Sequence, residues 1–183
     1  MGKDLIAWVD VETTGLRPDS ASLLEVAIVM TDWDLNVLDS GYSAPVEYSV
    51  QTVKGLRDSA NDFVKEMHDK TNLWERMSGA EAVHIDTLDS NLYHYVRNFA
   101  PEPKQARLGG NSVRLDLNFV EDYLPQFYNH LHYRFFDVSG LQEAATQWYG
   151  VPAFEKKGLH SAFDDIMESI EQARFIKGQL RHV

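Results

Sequence analysis

Leu5-Ile6-Ala7-Trp8-Val9-Asp10-Val11-Glu12-Thr13-Thr14-Gly15-Leu16 is an apolar run that ends in two acids and a glycine turn. Leu5–Val11 is compact and rich in strand formers, which predicts a buried strand. Thr13-Thr14-Gly15-Leu16-Arg17-Pro18-Asp19 is turn chemistry. Between them stand Asp10 and Glu12. Alternate residues of a strand share a face, so the two carboxylates point the same way. Held that close they repel, and burying them is costly unless a cation joins them. The end of a strand in an α/β sheet is also a common place for a site. From Asp-x-Glu alone, a solvated strand edge and a ligand pair fit equally well.

Outward from that stretch, Leu23–Thr31 reads as a second strand. Asn36–Val50 holds a third, broken by Gly41 and Pro45. Asp58–His68 and Asn72–Met77 read as short helices. Ser78-Gly79-Ala80-Glu81 matches a capping box. After it Ile85, Leu88, Leu92, Tyr95, Val96 and Phe99 recur at helical spacing, and Pro101-Glu102-Pro103 ends the helix. Gln105–Gly110 is a short strand that runs into Asn111 and Ser112, both good caps for a helix from about Val113. Pro125 interrupts that helix. Tyr133–Val138 is another strand, and Ser139-Gly140-Leu141-Gln142 looks like a second capping box, opening a helix to about Tyr149. Past the Gly150–Gly158 loop, Phe163, Ile166, Met167, Ile170 and Ala173 give a last amphipathic helix. Strands first, then helices alternating with strands, predict an α/β fold with helices sandwiching one mixed sheet.

The chain has 183 residues, 44% hydrophobic and 25% charged, which suits one globular domain spanning 1–183. No internal repeat or low-complexity tract interrupts it. Against 28 Asp+Glu stand 17 Lys+Arg, a net charge of −11. That balance disfavours a wide basic face for long nucleic acid or an anionic membrane. The absence of cysteine excludes disulfides, thiolate catalysis and Cys-ligated metal. The apolar runs Leu5–Val9 and Val26–Met30 are too short for a signal peptide or a membrane span. The expectation is a soluble, unexported, cytoplasmic protein.

Two further acids and a histidine stand out. Asp116 lies in the first turn after Gly110-Asn111-Ser112, among apolar Leu115, Leu117, Phe119 and Val120. Taken singly, it is better explained by the helix dipole than as a ligand. His160 and Asp165 are five apart, about 500° on a helix, and converge only if His160 stands in the preceding loop. A solvent-reachable His suits a general base, although an exposed loop His is usually plain surface. Together, four acids suit a pair of hard divalent ions such as Mg²⁺ or Mn²⁺. Two ions about 4 Å apart activate a water and stabilise the leaving oxygen of a phosphodiester.

Asp10-Val11-Glu12-Thr13-Thr14-Gly15-Leu16, Gly110-Asn111-Ser112 with Asp116, and His160-x4-Asp165 resemble the DEDDh 3′–5′ exonucleases. Within that superfamily the chain is similar to the oligoribonuclease family. Met67-His68, Asn72-Leu73, His132-Tyr133-Arg134, Asp137-Val138-Ser139, Asp164-Asp165-Ile166 and Glu168-Ser169-Ile170 carry that narrower likeness, over about residues 5–178. The resemblance implies a ribonuclease-H-like mixed sheet flanked by helices, a homodimer and two divalent ions. It implies release of 5′-mononucleotides from very short RNA, dinucleotides included. By motif position, Asp10, Glu12, Asp116 and Asp165 would be metal ligands and His160 the general base; the His-x4-Asp spacing selects Asp165 over Asp164. Leu16 would wedge between bases, or be an ordinary turn-flanking leucine. His68 and Arg134, with Ser112 and Ser139, would hold a 5′ phosphate; both serines also suit N-caps. Tyr133 would stack on a base in the partner subunit, and Phe63 stands where relatives often have Trp.

The chain departs from the family pattern at three places. Thr13 stands where oligoribonucleases commonly have Met; the Thr form is frequent in proofreading exonucleases. Gly140 replaces a frequent Thr, which removes one phosphate contact. His160-Ser161-Ala162-Phe163 is atypical locally. A proofreading or RNA-trimming exonuclease on longer substrates is therefore the competing enzyme. A catalytically silent oligonucleotide-binding module is the competing non-enzyme, and it would be marked by a missing acid or His; all five are present.

Overall fold

The structure, a computed structural model, describes residues 4–155 and 161–180. Five strands form one mixed sheet in the order β3-β2-β1-β4-β5. They are β1 (Leu5–Thr13), β2 (Leu23–Thr31), β3 (Tyr42–Pro45), β4 (Ala106–Gly110) and β5 (Phe136–Asp137). β2 is buried at all nine positions, as a central strand rich in Val, Ile and Leu should be. β1 runs antiparallel to β2 and parallel to β4. The sense of the sheet therefore changes at β1, and clefts form at such points.

The eight helices among the described residues are α1 (Val50–Ser59), α2 (Asp62–Lys70), α3 (Leu73–Arg76), α4 (Ile85–Phe99), α5 (Arg114–Tyr123), α6 (Pro125–His130), α7 (Val138–Tyr149) and α8 (Ala162–Leu180). The two faces of β1 feed two cores. Leu5, Ala7, Val9 and Val11 join the core built with α4, α5 and α6, while Ile6 and Trp8 pack towards α7 and α8. Asp10 and Glu12 continue the second face, so an apolar surface turns acidic along one strand. Trp8 is fixed there by a 2.8 Å hydrogen bond from Nε1 to Thr31 Oγ1 and an edge contact with Phe136. Gly109 lets β4 approach closely: a Cβ there would stand 2.5 Å from Ile6 Cγ2.

The expected α/β sandwich is the observed one, and three cap readings and three element bounds are corrected. Ser78 and Glu81 do not cap a helix. Ser78 Oγ donates to Glu75 O and Glu81 pairs with Arg76; α4 begins later, capped by the His84 ring accepting from the Asp86 amide. Ser139 does not cap α7. Asp137 Oδ1 accepts from the Ser139 and Gly140 amides, and its Oδ2 takes the Val113 amide across the turn. Nor do Asn111 and Ser112 cap α5, which has no side-chain cap; Ser112 is left-handed at φ +53°. The third strand covers only Tyr42–Pro45, the Tyr133–Val138 strand only Phe136–Asp137, and Asp58–His68 is two helices parted at the Asn61 cap. The Gly150–Gly158 loop lies partly outside the described residues. Among the described residues, no helix is long and apolar enough to cross a membrane.

Candidate active site

β1 and β4 are paired only from Leu5 to Trp8 on the β1 side, so the far end of β1 has lost that neighbour. Asp116, in the first turn of α5, takes the place of the missing strand: its Oδ1 accepts the Val11 amide at 3.1 Å. From the other side α8 brings Asp165 to the acidic end of β1. One carboxylate oxygen each of Asp10, Glu12 and Asp165 lies within 4.8 Å of the others. Asp116 stands beside this triplet, buried, and its charge is felt at Glu12.

The electrostatics are those of a crowded anionic site. Burial, then the charges of Glu25, Asp165 and Asp116, push the Glu12 carboxyl up to about 8. Burial pushes Asp116 up to about 7, against the opposing pull of the Val11 amide. Hard oxygen donors that resist ionisation in one another's company fit a divalent cation, which relieves both the desolvation and the repulsion.

His68 backs Glu12. It is 1% exposed. Its Nε2 faces Thr13 O at 3.2 Å, which places the proton on Nε2 and leaves Nδ1 turned to Glu12 Oε2 at 3.8 Å. Burial holds the ring below its usual titration range. With Glu12 pushed up, this contact is a neutral one at pH 7 rather than an ion pair. Trp74 packs edge-on against the far face of His68.

Two networks flank the acids. On one side a cleft of about 330 Å³ opens from Glu12, with Leu16 and Phe63 on its rim. Both are largely exposed, at 77% and 71%. Thr13 Oγ1 donates to Gly15 O and fixes the turn that presents Leu16. On the other side Ser112, Ser139, Asn111 and Ser169 form a chain. The Ser112 amide donates to Ser139 Oγ at 3.0 Å, and Ser139 Oγ donates to Asn111 Oδ1 at 3.0 Å. Asn111 Nδ2 donates to Ser169 Oγ at 2.8 Å, which donates to the backbone carbonyl of Asp165. Beyond it, Tyr133 is 74% exposed, stacked on His132 and capped by the Arg134 guanidinium.

The structure thus joins Asp10, Glu12 and Asp165, sets Asp116 beside them, and places Leu16 with Phe63 and Ser112 with Ser139. It buries His68 and turns its nitrogens to Glu12 and Thr13. His160 lies outside the described residues. Asn111 and Ser169 were legible in sequence only as a cap and as a family match. Glu25, a lone charge inside the apolar Leu23–Thr31 strand, was a signal that passed unread.

Fold and site together define an exonuclease, and the family described as Exonuclease matches residues 7–173. The oligoribonuclease of Leifsonia xyli subsp. xyli is 38% identical over 177 residues, covering 95% of this chain and 83% of the relative. The mitochondrial oligoribonuclease of Homo sapiens is 35% identical over 178 residues, covering 96% and 73%. The chain belongs to the oligoribonuclease family of exonucleases. Among solved structures, E. coli exonuclease I in complex with a 5cy-dT13 oligonucleotide superposes with TM-score 0.70 at 13% identity, covering 98% of this chain and 41% of that one. Exonuclease I from Methylocaldum szegediense gives 0.69 at 14% identity, covering 95% and 40%. At such identity the likeness is one of fold.

Proposed function

We propose that this chain is a metal-dependent 3′–5′ exoribonuclease that cuts very short RNA, dinucleotides included, to 5′-mononucleotides. The carboxylate triplet of Asp10, Glu12 and Asp165 carries that reading, because three acids share one small volume at the mouth of a cleft. Asp10, Glu12, Asp116 and Asp165 are the residues that would hold two divalent ions, Mg²⁺ or Mn²⁺. When bound, such ions polarise the phosphodiester and acidify water. His160 accepts the proton of the attacking water. Asp116 keeps the end of β1 in place through the Val11 amide while lending its second oxygen to the site.

Substrate selection rests on the flanks. Leu16 and Phe63 offer apolar surface to bases, and Arg134 with Ser112 and Ser139 holds a 5′ phosphate. His68 is buried and serves through Glu12. A dinucleotide carries few phosphates, so a chain of net charge −11 can bind it without a broad basic face. The active form is proposed to be a homodimer, in which the exposed Tyr133 of one protomer stacks on a base held by the other; sedimentation tests it. The cytoplasm is the proposed compartment, in keeping with a chain that lacks cysteine; fractionation tests it.

The decisive assay digests labelled dinucleotides and 20-mers with Mg²⁺ or Mn²⁺. Faster turnover of dinucleotides supports the proposal. Preference for the 20-mer points to a trimming or proofreading enzyme, and tight binding without turnover under any divalent ion points to a silent module.

A further inference from the structure

Glu25 stands directly across from Glu12 in the β1–β2 register. Antiparallel partners share a face, so its carboxylate lies beside the metal-site acids. It is 5% exposed, yet it is not a member of the ligand triplet. Both of its oxygens are already engaged. Oε1 accepts from Arg76 Nη2 at 2.7 Å and from Ser43 Oγ at 3.0 Å, and Oε2 faces Arg76 Nη1 at 3.3 Å. Arg76 also gives Nε to Glu81 at 3.0 Å, which holds the guanidinium between two carboxylates. Glu25 therefore sets a further charge beside Glu12, one strand across the sheet.

We propose that the Glu25–Arg76 pair sets the cation affinity of the active site: the field of Glu25 strengthens the hold on divalent ions and Arg76 restrains it. Glu25 touches no ion and no substrate. It acts through space on Glu12 and on whatever cation Glu12 holds. In a partly buried site a neighbouring unit charge is poorly screened, so its removal is felt. Arg76 has the geometry for the opposing role, since its fork meets both oxygens and keeps the carboxylate from turning into the site as a ligand.

The inference rests on the metal-binding reading, and the two fail differently. The measurement is calorimetric titration of the full chain with Mn²⁺ alone. Glu25→Gln should weaken binding by about threefold or more, and Arg76→Met should tighten it by a similar factor. Arg76→Lys keeps the charge but loses the fork, and should tighten binding less than Arg76→Met. The double variant Glu25→Gln with Arg76→Met removes both charges and should fall between the single ones. A merely structural pair would weaken binding in both single variants, and that result overturns the inference, as does an unchanged affinity in a folded Glu25→Gln protein. If Arg76→Met does not fold, Glu25→Gln against Arg76→Lys decides. A parent protein that takes up no Mn²⁺ overturns the metal reading itself.

Discussion

Glu12→Gln should stabilise the metal-free protein, and the gain should grow with pH. Glu12 is pushed up to about 8 in the fold, against 4.5 for an ordinary Glu. The folded state therefore binds the extra proton through that window, and stability falls as pH rises across it. Below 4.5 both states hold a neutral carboxyl, and Gln changes little. Above about 8 the parent carries a buried carboxylate facing Asp165, Asp116 and Glu25, and Gln does not. The span from 4.5 to about 8, at about 1.4 kcal/mol for each tenfold change in proton activity, sets a ceiling of about 5 kcal/mol. At about 2–4 °C per kcal/mol for a chain of this size, the ceiling is a Tm rise of about 10–20 °C. The assay is thermal unfolding with a chelator at pH 5, 7 and 9, parent against variant. Excess Mn²⁺ should reverse the order at pH 7, because only the parent keeps all four acids. A variant less stable than the parent at every pH, or a difference that ignores pH, would refute the reasoning.

Other perturbations separate the remaining parts of the site. Asp10→Ala should lower hydrolysis by at least about a hundredfold while the circular dichroism spectrum stays native; near-normal turnover would place the chemistry elsewhere. Arg134→Ala should slow a 5′-phosphorylated dinucleotide about tenfold more than one without the phosphate, and equal losses would remove Arg134 from the phosphate. Asn111→Ala cuts the chain from Ser139 to Ser169 and should lower stability by about 1–3 kcal/mol while raising KM; an unchanged Tm and KM would show the bridge to be idle. Gly109→Ala drives a Cβ to within 2.5 Å of Ile6 Cγ2 and should lower stability by about 1–3 kcal/mol, read by denaturant midpoint.

The strands were the most legible part of the fold, and β2 fell on its predicted ends because nine consecutive buried residues leave no ambiguity. Helix starts were read worst. Ser78-x-x-Glu81 and Ser139-x-x-Gln142 satisfy a local rule, but each side chain has a stronger engagement elsewhere: Glu81 on Arg76, Ser139 on Asn111, Gln142 on Thr146 and Pro152. Asp137 and the His84 ring cap in their stead. α1 was read only at its last turn, because the third strand was carried to Val50 and the helix was begun at Asp58. In the site, spacing alone put Asp10 and Glu12 on one face. Nothing local could show that Asp116 would bond the Val11 amide 105 residues away, or that His68 would lie buried behind Glu12. Those arrangements are settled by how β1 parts from β4, which no short segment encodes.

The two outer strands of the sheet are its shortest. β5 is two residues long before the chain turns into α7, and β3 is four, ending on Pro45, which has no amide to donate. Val83 then takes the Pro45 carbonyl and gives its own to the Glu47 amide, which closes the β3 margin. A sheet offers itself for extension only where a margin shows a run of unpaired backbone groups. Among the described residues such a margin is short, so a stray peptide or a partly unfolded neighbour finds little template for strand addition. Copies of the chain that associate have little open strand margin to share, so this sheet is poorly suited to growth by edge pairing.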